Sequence, residues 1–86
     1  MANYAIIFSR SARKELENLP NRLVNRIFSQ IQSLGESPRP SGCRKLQGSS
    51  DLWRIRLGDY RVVYSIDDKL RLVDIVAIRH RSKAYD

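Results

Sequence analysis

The sequence predicts an α+β fold, in which two helices pack on one face of a sheet that ends in a three-stranded antiparallel meander. Three observations support this class: an apolar run near the N-terminus, two adjoining segments with helical spacing of apolar residues, and three strand-like runs separated by turn residues. Helices that precede consecutive hairpins, instead of alternating with strands, are typical of α+β domains. The predicted order is β-α-α-β-β-β, which leaves the other face of the sheet open.

The first strand and the first helix are predicted within residues 4–19. Residues 4–8 are apolar, with aromatic and β-branched members, so they are expected to form a short strand. Ser9 then stands where a helix N-cap is expected, because its hydroxyl accepts a hydrogen bond from the first helical turn. Ala12, Leu16 and Leu19 follow at intervals of three or four residues, which predicts an amphipathic helix.

A second helix follows Pro20, a residue that interrupts the first helix and suits the first turn of the next. Its apolar stripe consists of Leu23, Ile27, Ile31 and Leu34. Gly35 is a good residue to end it, because glycine adopts the left-handed backbone conformation common at helix C-termini. Two prolines and a glycine within residues 36–42 then predict a loop that leads from the helical hairpin to the sheet.

Three strand-like runs occupy the second half of the chain: residues 52–57, 60–66 and 70–78. Gly58 and Asp59 separate the first two runs, and residues 67–69 separate the last two. Both separators contain residue types that close hairpins. The runs therefore predict an antiparallel meander, in which each strand pairs with the next one.

Length and composition indicate one soluble domain over residues 1–86. A chain of 86 residues, 42% hydrophobic and 29% charged, has room for one modest core and matches ordinary globular proteins. Its single cysteine, Cys43, forms no internal disulfide, and the N-terminus lacks the pattern of a signal peptide. Arg71 and Asp74 interrupt the longest apolar run, which argues against a membrane span. We therefore expect a cytoplasmic protein.

The charge of the chain predicts polyanionic partners. Sixteen Lys and Arg residues against nine Asp and Glu give a net charge of +7, which attracts nucleic acid and speeds its arrival. An acidic protein is the second class of partner, and both partners can use the same surface. Arginine outnumbers lysine, which favours bidentate contacts to phosphate and stacking on bases.

Arginines on the predicted strands alternate with apolar residues. Side chains along a strand point alternately to its two faces, so Arg54 and Arg56 lie on one face and their apolar neighbours on the other. Arg61 follows Tyr60 into the next strand and is expected on the same open face as those two arginines. Each arginine alone is compatible with a solvated strand face. Together they predict a polyanion site, because like charges that face each other on a sheet are destabilising.

The end of the last strand and the tail add further chemistry. Arg79, His80 and Arg81 end the strand, and Lys83 and Tyr85 follow. We expect one face of the sheet to gather several cations, an imidazole and a phenol. His80 is the only histidine; a lone histidine is often a surface or structural residue, but imidazole is also the side chain whose ordinary titration range lies nearest neutral pH. For Tyr85 the alternative is an unstructured penultimate residue.

Several other kinds of site are excluded. One histidine and one cysteine do not supply the roughly four ligands of a zinc site, and the sequence contains no glycine-rich phosphate loop or acidic metal-binding cluster. Trp53 is expected to pack in the core, and Cys43 lies in a loop with no histidine or acid near it in sequence. The remaining chemistry needs only charge and proton transfer, without a metal or a cofactor.

Motifs that span nearly the whole chain point to a family. They are residues 4–16, Lys45 with Leu46, residues 52–57 with a Trp-Arg-Ile-Arg motif, residues 58–64 with Asp-Tyr-Arg-Val-Val-Tyr, and residues 78–85, where His80 and Arg81 precede Tyr85. Together they resemble the RelE-type toxins of bacterial type II toxin–antitoxin systems, within the RelE/ParE superfamily. These motifs are specific for the superfamily and less specific for the activity of a member.

The resemblance implies an endoribonuclease. RelE-type toxins cut mRNA in the ribosomal A site without a metal, by activating the ribose 2′-hydroxyl to attack the adjacent phosphate. Arg56, Arg61 and Arg79 match the positions that hold this phosphate and stabilise its developing charge. Tyr85 matches a tyrosine that orients the nucleotide or assists proton transfer. The other basic residues expected to contact RNA are Arg54, in a supporting position, and Lys45, Arg81 and Lys83.

The sequence departs from the best-studied branch of the family at Arg54 and Arg56. Lysines occupy these positions there, one of them proposed as a proton acceptor, whereas arginine stays protonated and cannot take that role. Other branches carry a histidine at the position of His80. We therefore assign His80 as the general base or acid.

The resemblance also implies partners: the ribosome with its mRNA, and a cognate antitoxin that covers the toxin in a toxin–antitoxin hetero-oligomer. Two alternative functions stay open at this point. One is a ParE-like toxin that inhibits DNA gyrase without nuclease chemistry, and the other is a nucleic-acid-binding module without activity. The nuclease is favoured, because a gyrase inhibitor has no need of a proton-transfer group beside a phosphate site. The residues that favour it are Arg56, Arg61, Arg79, His80 and Tyr85.

Overall fold

Residues 3–48 and 51–83 are described by a computed structural model, and their architecture confirms the predicted α+β class. The elements are β1 (Ala5–Phe8), α1 (Arg10–Glu17), α2 (Asn21–Ser33), β2 (Arg44–Lys45), β3 (Leu52–Leu57), β4 (Tyr60–Asp67) and β5 (Leu72–His80). A single turn of 3-10 helix, Arg81–Lys83, follows β5. The predicted order of helices and strands is therefore present, with one additional short strand, β2.

The strands form one sheet in the order β1-β5-β4-β3-β2. β3, β4 and β5 pair antiparallel in sequence order, as the predicted meander requires. β1 instead pairs parallel with β5, from Ala5 opposite Leu72 to Phe8 opposite Ile75, so the sheet is mixed. The helical hairpin causes this arrangement, because α1 and α2 carry the chain across the sheet to its far edge, from which the meander returns to β1.

β2 is not recognisable in the sequence. Its two residues, Arg44 and Lys45, are exposed and pair with Arg54 and Trp53 of β3. They lack the alternation of polar and apolar residues that marks a strand. A strand at the edge of a sheet, with no face buried under a helix, leaves no such signal.

Ser9 fixes the start of α1, as the sequence predicts. Its Oγ accepts a hydrogen bond from the Ala12 backbone N–H (3.1 Å) and donates one to the carbonyl of Val76 in β5 (3.0 Å). The same side chain therefore caps the helix and ties it to the sheet. Ala12 and Leu16, one turn apart on the inner face of α1, are buried.

One apolar core lies between the two helices and one face of the sheet. The helical segment contributes Ala12, Leu16, Ile27, Ile31 and Leu34, and the strands contribute Ile55, Val62, Tyr64, Val73, Ile75 and Ile78. Side chains along a strand alternate between faces, so the residues between these positions mostly point away from the helices. Neither α1 nor α2 covers the second face, as the sequence predicts.

Polar contacts hold the loop between α2 and β2 against the sheet. The hydroxyl of Tyr64, a fully buried residue, donates a hydrogen bond to the carbonyl of Pro38 (2.7 Å). Arg39 pairs with Asp68 beyond the end of β4 (3.0 Å), and its hydrogen bond lowers the pKa of the Asp68 carboxyl. The Arg39 guanidinium also lies 5.1 Å from the ring centroid of Trp53, which packs against the core. Trp53 is therefore structural, as expected.

Tyr64→Phe is expected to destabilise the protein by about 1–2 kcal/mol, because the carbonyl of Pro38 loses its donor. The difference in unfolding free energy between the wild type and the variant depends on pH. Burial raises the pKa of Tyr64 above its ordinary value of 10.0, so the unfolded chain ionises first and the wild type loses stability as the pH rises past that value. The Tyr64→Phe variant has no phenol at this position, so it loses less folding stability at high pH. Urea unfolding at neutral pH and at successively higher pH measures both effects, and a difference that stays constant would contradict the prediction.

Candidate functional site

Arg56, Arg61 and Arg79 lie side by side on three neighbouring strands. In the strand register Arg56 is opposite Arg61, and Arg61 is opposite Arg79. Residues that face each other in adjacent strands point to the same side of the sheet, with Cβ atoms about 5 Å apart. The three side chains therefore form a continuous row, called the arginine row below, on the face that α1 and α2 leave uncovered. Their alternation in the sequence predicts this shared face.

The arginine row concentrates positive charge at the surface. Arg56 and Arg79 are exposed and Arg61 is half-buried. Like charges directly opposite each other on a sheet are destabilising. Each guanidinium also presents a planar fork of donors that matches the oxygens of a phosphate. A bound phosphodiester would therefore relieve the repulsion within the row and engage its donors.

The same face carries Arg44 and Arg54, which are opposite each other in β2 and β3. Arg54 is buried, with 5% of its surface exposed, and Arg44 and Val63 flank it on the adjacent strands. A side chain buried in this way is better placed to pack against its neighbours than to contact a ligand. Arg44 is exposed, and its place on this face is not predicted from the sequence, because β2 carries no strand pattern.

His80 lies on the other side of β5 from Arg79. The two residues are consecutive in the strand, and His80 is opposite Tyr60, which shares the helix-covered face with Val62. The rings of His80 and Tyr60 meet edge to face, with centroids 5.4 Å apart. The expectation that one face gathers the imidazole together with the arginines is therefore wrong, because strand alternation continues to the last residue of β5.

Ser82 fixes the hydrogen bonding of the His80 ring. Its backbone N–H donates to Nδ1 of His80 (3.3 Å), and its Oγ lies 3.0 Å from the same atom. Because Nδ1 accepts the backbone hydrogen bond, the proton of the neutral ring is assigned to Nε2. Nε2 is therefore a hydrogen-bond donor in neutral His80 as well as in the protonated ring.

His80 borders two cavities at the end of the sheet. One, of about 590 Å³, lies between α2 and the turn that joins β3 to β4, and Arg56 contributes to its lining. The other, of about 470 Å³, lies between α1 and the end of β5 and is lined in part by Glu15 and Arg79. The imidazole thus shares one cavity with each outer member of the arginine row, although it does not share their face.

Glu15 of α1 connects the helix to Arg79. One carboxylate oxygen accepts a hydrogen bond from the Ile78 backbone N–H (3.0 Å), and the other accepts one from Arg79 Nε (3.3 Å). β1 pairs with β5 only as far as Ile75, so at Ile78 the carboxylate takes the place of a neighbouring strand. In the sequence Glu15 is indistinguishable from the other acid on the polar face of α1.

The remaining residues proposed from the sequence lie around the margin of the site. Lys45 is opposite Trp53, on the other face from the arginine row, with Nζ 6.0 Å from the Trp53 ring centroid. Arg81 is exposed and pairs with an aspartate of the turn between β3 and β4 (3.9 Å). The backbone of Lys83 belongs to the 3-10 helix, and Tyr85 lies outside the described residues.

Other chemistries are not assembled in the described part of the chain. Within residues 3–48 and 51–83, no three side chains of His, Cys, Asp or Glu are grouped so that they could hold a metal ion. The helices of these residues are too short or too polar to span a bilayer. Cys43 is a half-buried free thiol. The arginine row and the groups around it are therefore the candidate functional site of the described residues.

Comparisons with known proteins identify relatives of the chain. A family model described as the ParE toxin of a type II toxin–antitoxin system, parDE, matches residues 6–85. The toxin RelE of Mycobacterium tuberculosis is 31% identical over 86 residues, which cover 95% of this chain and 86% of the relative. The toxin RelG of the same organism is 29% identical over 83 residues and 95% of each chain.

Solved structures with the same fold include toxin–antitoxin complexes. The chain superposes on the archaeal RelE–RelB complex from Pyrococcus horikoshii with a TM-score of 0.82 and 32% identity, covering 95% of this chain and 99% of that chain. The intact E. coli RelBE toxin–antitoxin complex gives a TM-score of 0.79 and 28% identity, with 96% and 99% covered. Both matches extend over nearly the full length of the two chains.

Arg61→Gln is expected to reduce the stabilisation that a bound anion gives to the fold. The change removes the central charge of the row and keeps much of the side-chain stem, so without added anion the unfolding free energy should change by less than about 1 kcal/mol. Sulfate should then raise the Tm of the wild type more than that of the variant, relative to chloride at equal ionic strength. Differential scanning fluorimetry measures these shifts.

Arg13→Gln is the matched control for this comparison, because Arg13 is an exposed arginine on α1 and its loss changes the net charge equally. Its response to sulfate should equal that of the wild type. An anion site at the arginine row is contradicted if Arg61→Gln also responds like the wild type.

Proposed function

Because the chain belongs to the RelE/ParE family of toxins from type II toxin–antitoxin systems, we propose that it is a ribosome-dependent endoribonuclease that cleaves mRNA in the A site. The observation that carries this proposal is the arginine row, in which guanidinium groups from three strands lie next to one another on an open face. A site of this kind suits one phosphodiester and stabilises extra negative charge on it. The proposed reaction uses neither a metal nor a cofactor.

In this reaction the ribose 2′-oxygen attacks the adjacent phosphorus. A new P–O2′ bond forms, the P–O5′ bond breaks, and the products are a 2′,3′-cyclic phosphate and a 5′-hydroxyl. Negative charge grows on the non-bridging oxygens in the transition state, where the fixed donors of Arg56, Arg61 and Arg79 bind more strongly than in the ground state. Donors of this type are each worth about 3 kcal/mol of transition-state stabilisation.

Two protons move during the reaction: one leaves the 2′-hydroxyl and one reaches the 5′-oxygen. Arginine stays protonated and cannot accept the first proton, which we assign to solvent water. We assign the second transfer to His80 in its protonated form, which carries a proton on each ring nitrogen: Nε2 gives its proton to the 5′-oxygen, and the neutral ring that remains keeps a proton on Nδ1, 3.0 Å from Ser82 Oγ. The cavities that His80 shares with Arg56 and with Arg79 support a substrate that passes around the end of the sheet.

The residues around the row have proposed supporting roles. Buried Arg54 holds its neighbours in place beneath the surface. Contacts to the phosphates that flank the cleaved one are assigned to Arg44, Arg81 and Lys83. Tyr85 keeps the role that the family resemblance implies, orienting the nucleotide. Lys45, on the other face of the sheet, is assigned to a more distant stretch of RNA.

A cognate antitoxin is the proposed protein partner. The relatives from Pyrococcus horikoshii and E. coli were solved as RelE–RelB and RelBE complexes. An open basic face on a chain of net charge +7 attracts nucleic acid without selectivity, and a partner that covers the arginine row would prevent this. The resulting assembly is a hetero-oligomer of toxin and antitoxin.

Inhibition of DNA gyrase is the second candidate function, because the matching family model is that of ParE. A reconstituted translation reaction with a defined message separates the two. The nuclease should cut the message at fixed positions within codons, and only when ribosomes are translating it. An intact message, together with gyrase-dependent DNA breaks in cells that express the chain, would overturn the nuclease proposal.

Arg61→Ala should lower mRNA cleavage by at least about 10²-fold, because it removes a donor to the phosphate in the transition state. Its effect on folding should be small by comparison. Cleavage rates in the translation reaction and thermal unfolding of the same preparation check both statements. A large fall in Tm, with activity lost in proportion, would instead assign Arg61 a packing role.

His80→Ala should lower cleavage by about 10²–10⁴-fold and leave ribosome binding nearly intact, because it removes the proton donor but no phosphate contact. Ser82→Ala is the control: it deletes the hydroxyl near Nδ1 and keeps the backbone N–H, so its effect should be much smaller. Single-turnover cleavage and co-sedimentation with ribosomes provide the measurements. Equal losses of cleavage and binding in His80→Ala would make the residue structural.

A further inference from the structure

We propose that Glu15 is a positioning residue that sets the orientation of Arg79 for phosphate binding, an inference that rests on the proposed nuclease function. Its carboxylate accepts a hydrogen bond from Arg79 Nε at 3.3 Å and forms an ion pair with the same group. Glu15 takes no part in bond making or proton transfer. It acts on the reaction through Arg79.

Glu15 is held in place by a contact that does not involve Arg79. Its other carboxylate oxygen accepts the backbone N–H of Ile78 at 3.0 Å, and Ile78 is a core residue with 3% of its surface exposed. α1 is itself tied to β5 through Ser9 and Val76. The carboxylate is therefore a fixed point against which the longer and more exposed arginine side chain is oriented.

The atom that Glu15 contacts explains how it can help phosphate binding. A guanidinium carries one donor on Nε and four on its two terminal nitrogens. Glu15 engages Nε, so the terminal nitrogens are the donors with which Arg79 can approach a phosphate. Arg79 is opposite Arg61 in the sheet, and like charge favours a conformation that turns away from the row. Repulsion alone selects no single conformation, whereas the Glu15 carboxylate holds Nε of Arg79 at one fixed point on the α1 side.

The same contact is a weak source of folding stability. The side chains of Arg79 and Glu15 are 47% and 31% exposed, and ion pairs this open to water contribute little because solvent and salt screen them. The orientation of Arg79 has a larger effect on the cleavage rate than the ion pair has on stability, since misplacement of a catalytic group by about 1 Å lowers the rate about 10²-fold. The position of Glu15 therefore matters more to catalysis than to the fold.

The test compares Glu15→Gln with Glu17→Gln in the mRNA cleavage reaction. Glutamine at position 15 keeps an oxygen for the Ile78 N–H and removes the charge that holds Arg79. Glu17 is an exposed acid on the same helix, so both variants raise the net charge equally. Glu15→Gln should lower kcat at least about 10-fold with KM changed less than about threefold, at wild-type Tm. Glu17→Gln should match the wild type in all three.

A double-mutant cycle separates positioning from a purely structural role. In an Arg79→Ala background, Glu15→Gln should cause no further loss of single-turnover cleavage, because the residue through which Glu15 acts is absent. An equal loss in the wild-type and Arg79→Ala backgrounds would overturn the proposal. So would a fall in Tm that accounts for the lost activity of Glu15→Gln.

An NMR measurement gives a readout that does not depend on activity. The hydrogen bond to Glu15 should slow exchange of the Arg79 Nε–H with water, and Glu15→Gln should restore fast exchange; unchanged exchange would overturn the proposal. The two proposals can also fail separately. If the wild type leaves mRNA intact, the nuclease and the positioning role both fail. If the wild type cleaves mRNA and Glu15→Gln cleaves it equally well, only the positioning role fails.

Discussion

The pairing register of β3, β4 and β5 is the constraint on which the rest of the molecule depends. Val62 lies opposite Ile55 on one side and Ile78 on the other, and all three side chains are buried beneath the helices. The arginine row occupies the adjoining position on each strand. A shift of one residue in either pairing would expose the apolar side chains and turn arginines toward the core. Hydrophobic burial on one face thus fixes the geometry of the charged site on the other.

The apolar core and the arginine row lie on opposite faces of the sheet, and residues of both faces come together at the end of β5. Arg79 belongs to the open face, and His80 belongs to the covered face beside Tyr60. Glu15 reaches from α1 to the edge of β5 and contacts both the backbone of Ile78 and the side chain of Arg79. The helical layer that supplies the core therefore also supports one end of the arginine row.

Local periodicity made most of the fold and the arginine row predictable. A repeat of two residues places Arg56, Arg61 and Arg79 on one face once the meander is recognised. The same repeat places His80 on the opposite face, because His80 is the next residue of β5 after Arg79, although its chemistry suggests a place beside the arginines. The parallel partner of β1 and the contact of Glu15 depend on segments far apart in the chain, so no local pattern reveals them. β2 is a short exposed edge strand and therefore carries no alternation of polar and apolar residues.

The parallel pairing of β1 with β5 affects the order in which the strands pair during synthesis. Ala5 pairs with Leu72 across the sheet, so β1 can pair only after β5 has been synthesised. Pairings between such distant segments form late, because a long intervening loop must be ordered first. A nascent chain from which β5 is still missing has Arg56 and Arg61 but no Arg79 beside them. The arginine row is therefore complete only after β5 has been translated and has paired with β4.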